Sequence, residues 1–95
     1  MQASIDCYSS KFGKYNVNNA LVLSVNDLRV WFSYNTIVAF STPKAGIVCS
    51  ENNWGVTTGR HLNAIQPDKK KRIPYEKFKK KLNNLHTIEE FVDIL

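Results

Sequence analysis

The chain has 95 residues, 43% of them hydrophobic, a formal net charge of +5 and only two cysteines. A chain of this size can bury one small core, so a single domain over 1–95 is expected and two domains are excluded. No apolar run approaches the roughly 18 residues of a membrane span, the opening "MQASIDCYSSK" lacks the charged start and apolar centre of a secretion signal, and Cys7 and Cys49 are too few and too far apart for a disulfide framework. A soluble intracellular chain with two reduced core thiols is the expectation.

Taken in chain order, "SIDCYS" alternates apolar and polar residues, and "SKFGKYNVNN" carries Gly13 and a run of asparagine and lysine that suggest a turn or loop. From Ala20 the pattern sharpens. "ALVLSV" is rich in branched residues, Asn26–Asp27 is a turn signal, and "LRVWFSY" sets Leu28, Val30, Phe32 and Tyr34 against Arg29, Trp31 and Ser33. "TIVAFST", the breaker "PKAG" and "IVCSE" follow with short connections, which imply an antiparallel meander. Large apolar groups fall on both faces of the central strand, so helices are expected over one face and a partner or the N-terminal segment over the other.

After the sheet the period becomes helical. Thr57 or Thr58 before "GRHLNAIQ" reads as an N-cap, with Leu62 and Ile65 on the buried stripe and Pro67 as the stop. "DKKKR", Asp68 to Arg72, reads as a loop. "IPYEKFKKKLNNL" places Tyr75, Phe78, Leu82 and Leu85 at helical spacing, with Pro74 in the permitted first turn and lysines on the other side. "HTIEEFVDIL" holds the capping box Thr87-x-x-Glu90 and reads as a short closing helix. The fold class expected is α+β: an antiparallel sheet of three to five strands followed by two or three short helices.

Positive charge is concentrated in one place. From Asp68 to Lys81, eight basic residues face two acidic ones, a local balance of +6, while five basic and six acidic residues elsewhere leave −1. Clustered cations attract a polyanion far more than scattered ones do, which makes Lys69, Lys70, Lys71, Arg72, Lys77 and Lys80 candidate phosphate contacts. The predominance of lysine over arginine favours backbone contacts over base readout. A second candidate is the stretch Thr57, Thr58, Arg60, His61 and Asn63. A helix start offers unpaired amides, Gly59 allows close approach, and Arg60 supplies a planar fork for phosphate. The plainer alternative is that a threonine caps the helix, Trp54 is core and Asn63 binds backbone. Trp31, Tyr34 and Tyr75 are candidates for base stacking, against a core role.

Catalysis has little support: Cys49 lies among apolar strand neighbours, where a thiol is inert. Metal binding has none, because Cys7, Cys49, His61 and His86 lack ligand spacing. No cofactor is expected. The string "FSYNTIVAF" followed by "NNWGVTTGRHLN", through Ser33, Tyr34, Thr36, Val38, Ala39, Trp54, Thr57, Thr58, His61 and Asn63, resembles a family of small uncharacterised proteins of bacteriophages and mobile elements. That resemblance implies a phage or mobile-element source and action in the cytoplasm of the host cell. A non-enzymatic protein that contacts nucleic-acid phosphates is the expected function. The alternative is a phage-encoded inhibitor or modulator of a host protein. No membrane association is expected, and a homodimer would follow if Trp31 lay at an interface.

Overall fold

The branched and aromatic runs of the sequence become five strands lying in the order in which they occur, each antiparallel to the next. The computed structural model describes residues 3–8 and 20–85. The strands are β1 (Ala3–Cys7), β2 (Ala20–Val25), β3 (Leu28–Ser33), β4 (Thr36–Thr42) and β5 (Gly46–Cys49). Two-residue loops join β2 to β3 and β3 to β4, as the pairs Val25↔Leu28 and Ser33↔Thr36 show. Mirror-image turns suit such hairpins and put a left-handed residue at the first loop position. Asn26 takes it with φ 52° and Tyr34 with φ 55°. Asparagine tolerates that conformation; for tyrosine it costs about 1–2 kcal/mol, offset by packing of the Tyr34 ring on His61.

The register explains how the core divides. Trp31 pairs with Ala39 but Phe32 pairs with Ile37, so Val38 is an extra residue in β4. This bulge turns Val38 and Ala39 towards the same side. That side also carries Val22, Trp31 and Cys49, and it packs against Leu62 and Ile65 of α1 (Val56–Ile65), with Tyr8 and Trp54 at its border. The opposite side presents Leu28, Val30 and Phe40 to Phe78 of α2 (Tyr75–Asn83), with Leu23, Phe32, Ile37, Val48, Ile73, Tyr75, Leu82 and Leu85 around them. The Phe40 and Phe78 ring centroids are 5.7 Å apart.

Helices therefore cover both faces. Trp31 is buried beneath α1 and Tyr8, so the chain itself accounts for the face that the sequence left to a partner or the N-terminal segment. The apolar side chain that suggested a homodimer is spent on the protein's own core. Cys49 is buried as expected, whereas Cys7, on the outermost strand, is exposed.

The connection between the helices is short and fixed. Ser50 bridges Ile73 in parallel, with the Ile73 amide donating to Cys49 O at 2.9 Å and the Glu51 amide to Ile73 O at 2.7 Å. Gln66 closes α1, donating its amide to Leu62 O at 2.8 Å, and Pro67 follows. The segment expected as a loop contains a 3₁₀ turn at Lys69–Lys71, because the Asp68 carboxylate accepts from the Lys70 amide at 3.0 Å. Pro74 stands as the N-cap of α2, one position before the first turn. The closing helix expected over 86–95 and the loop expected over 10–19 lie outside the described residues. Among the described residues, no helix is long and apolar enough to cross a membrane.

Candidate functional site

The helix start that the sequence marked as a site divides into an inner and an outer face. Helix α1 begins at Val56 with Gly55 as its N-cap and no side-chain cap, so neither Thr57 nor Thr58 caps it. The preceding turn is held instead by Asn52, whose Oδ1 accepts from the Trp54 amide at 3.0 Å while its Nδ2 donates to Gly55 O at 3.2 Å. Thr58 lies one turn in, and its hydroxyl shares a 2.9 Å hydrogen bond with Ser33 Oγ. Ser33 Oγ shares a second, at 2.7 Å, with His61 Nδ1. All three residues are buried; His61 is 0% exposed.

Around this polar knot, Tyr34 and Tyr8 place ring centroids 5.9 Å and 6.1 Å from that of His61. The Tyr8 hydroxyl donates to Phe32 O at 2.8 Å, and burial raises its pKa, so it stays a donor. Burial also lowers the pKa of His61 below its ordinary value, which favours the neutral ring. Thr58 and His61 thus tie α1 to β3 through Ser33. Both side chains are buried, so of the helix-start candidates it is Arg60 and Asn63 that lie on the exposed face. Ser33, Tyr34, Trp54, Thr58 and His61, singled out together in the sequence, are mainly the joint between sheet and helix.

The outer face is different. Val56, Gly59, Arg60 and Asn63 recur at helical spacing and line a cleft of about 460 Å³, closed on its other side by Glu51, Asn52, Lys69 and Arg72. A Cβ at Gly59 would lie 3.0 Å from Asn52 Nδ2, so a larger residue there would press on the side chain that holds the preceding turn. The structure thereby brings Arg60 and Asn63 of the helix start together with Lys69 and Arg72 of the basic segment.

Arg72 departs from the expected exposed lysine run. It is only 7% exposed; its Nε and one terminal nitrogen donate to Gln66 O at 3.0 and 2.8 Å, and that same nitrogen donates to Asn63 Oδ1 at 2.8 Å. Among the described residues, every acceptor is neutral. The guanidinium ties the end of α1 to the 3₁₀ turn and leaves a buried positive charge on the cleft wall.

Lys69, Lys70, Lys71, Lys77 and Lys80 are all exposed, as are Lys79 and Lys81. On α2 the buried Phe78 fixes the inward side. Lys77, Lys80 and Lys81 then share one flank by their spacing of three and four, while Lys79 falls on the other flank near Glu76. Of the aromatic stacking candidates, Trp31 is core, Tyr75 packs edge-on to Trp54 at 5.2 Å, and Tyr34 is 47% exposed. The Cys49 thiol is pushed up to about 11 by burial, the condition of an unreactive thiol. Among the described residues, no group of three or more His, Cys, Asp or Glu side chains could hold a metal ion.

Glu51, Asn52 and Val56 were not anticipated in the cleft. The turn signal "NNWG" could have placed Asn52, but Glu51 reaches the site only through the long-range pairing of Ser50 with Ile73.

No curated protein and no solved structure matches the chain. A family described as "Family of unknown function (DUF8033)" matches residues 5–80, most of the chain, and the protein belongs to that family.

Proposed function

We propose that this is a non-enzymatic binding protein of phage or mobile-element origin that contacts nucleic-acid phosphates in the host cytoplasm through its basic segment and the outer face of α1. The observation that carries this reading is the run of exposed lysines from the 3₁₀ turn into α2, beside a cleft walled by Arg60, Lys69 and Arg72. Sequence-independent contact suits lysine, whose ammonium is a point charge without the planar fork that reads a guanine edge. Arg60, Lys69, Lys70, Lys71, Lys77 and Lys80 are six exposed cations. If each meets one phosphate of a duplex, the log–log dependence of affinity on salt has a slope of about −5. Fluorescence anisotropy with a labelled duplex tests this; absence of binding at about 50 mM salt removes the reading.

A second reading, a modulator that binds a host protein, draws on two exposed apolar side chains bordering α1, Val56 at 76% and Tyr34 at 47% exposure. A protein partner captured after nuclease treatment, together with failure to bind the duplex, favours it.

A further inference from the structure

The geometry points to the cleft between α1 and the 3₁₀ turn as a discrete site for a phosphomonoester, such as a nucleoside monophosphate or the phosphorylated end of a strand. The inference deepens the nucleic-acid reading and rests on it. Three observations converge. Arg72 is 93% buried by its 7% exposure, and among the described residues its guanidinium finds only the neutral acceptors Gln66 O and Asn63 Oδ1. Buried charges are ordinarily paired, because transfer out of water is costly without a counter-charge. Such a charge on a cleft wall invites an anion from outside.

Charge and volume then narrow the ligand. Arg60, Lys69 and Arg72 against Glu51 give the lining a balance of +2. That complements a monoester dianion, which carries about −1.5 to −2 at neutral pH, better than the single charge of a backbone diester. The volume of about 460 Å³ exceeds what a bare phosphate needs and lies in the range of small-molecule sites, leaving room for the attached nucleoside beside Val56. Arg60 can offer two parallel donors to the phosphate and Lys69 a point charge. Glu51 opposes them, so it weakens an anion's binding.

Titration with AMP and with adenosine, followed by amide NMR, tests the site. AMP is expected to shift the amides of Gly59, Arg60, Asn63 and Lys69 saturably, and adenosine to leave them in place. Arg60→Gln should weaken AMP by about tenfold or more through loss of a charge-assisted pair, and Glu51→Gln should tighten it about threefold. Lys44→Gln, in the distant β4–β5 turn, should do neither. Equal responses to AMP and adenosine, or an unchanged AMP affinity in Arg60→Gln, overturn the proposal. Parallel titration with oligonucleotides separates the two claims. Oligonucleotide binding without an AMP response overturns the cleft site and leaves the surface reading intact; AMP binding without oligonucleotide binding does the reverse. A 5′-phosphorylated strand that outcompetes its 5′-hydroxyl twin supports the strand end as the source of the phosphate, and parity between them supports the free nucleotide.

Discussion

Acidification should loosen the joint between sheet and helix, and the size of the effect follows from His61. Its ring is 0% exposed and hydrogen-bonded through Nδ1 to Ser33, and burial depresses its pKa from the ordinary 6.5. A histidine whose folded pKa lies below its unfolded value binds protons preferentially in the unfolded chain. Stability is then fully present above about pH 6.5 and is lost as pH falls from there towards the lower folded value. The slope cannot exceed about 1.4 kcal/mol per pH unit. Between about pH 7.5 and about pH 5.5 the loss is therefore at most about 1.4 kcal/mol, or about 6–11 °C in Tm for a domain of this size. Thermal unfolding followed by circular dichroism would measure the shift, with His61→Gln as comparison and His86→Gln as the control for the other histidine. A Tm that does not move between these pH values, or one that moves equally in His61→Gln, refutes the reasoning.

Other perturbations have expected outcomes of their own. Phe78→Ala removes the ring that seals α2 to the sheet, and should cost about 3–5 kcal/mol in urea denaturation, enough to leave a small domain near its unfolding threshold. Trp31→Ala should cost a similar amount, about 3–5 kcal/mol, without changing the hydrodynamic mass, because the indole is buried within the chain. A fall in mass without loss of stability would contradict its place in the core. Asn63→Ala takes a neutral acceptor from the buried Arg72 and should cost about 1–3 kcal/mol; a variant as stable as the parent would show that the bond at 2.8 Å contributes nothing.

The sheet was largely legible because its signals are local. The branched run "ALVLSV", ended by the turn residues Asn26–Asp27, and the apolar run "TIVAFST" mark β2 and β4 to the residue, at Ala20–Val25 and Thr36–Thr42. The placement of the helices on opposite faces was not legible, since the alternation of Trp31 with Phe32 shows that both faces need cover without saying what covers them. The α1 cap was misread because any threonine before an apolar run satisfies a capping pattern. What decides the case is Ser33, 25 residues away in sequence, which engages the Thr58 hydroxyl. Arg72 was read as one more exposed cation because nothing in "KKKR" distinguishes it. Its burial comes from the pairing of neighbouring Ile73 with the end of β5 and from acceptors on the last turn of α1. The bulge at Val38, which sends two consecutive residues into one face, has no sequence signal in an unbroken apolar run.

The central claim, that the exposed lysines meet phosphates, is tested most directly by the salt dependence of duplex binding in Lys69→Gln/Lys70→Gln/Lys71→Gln beside the parent. Each lysine lost removes about 0.9 from the slope, so the account predicts a change from about −5 to about −2 or −3, with the fold intact because all three side chains are exposed. A slope that stays the same in the triple variant would contradict it.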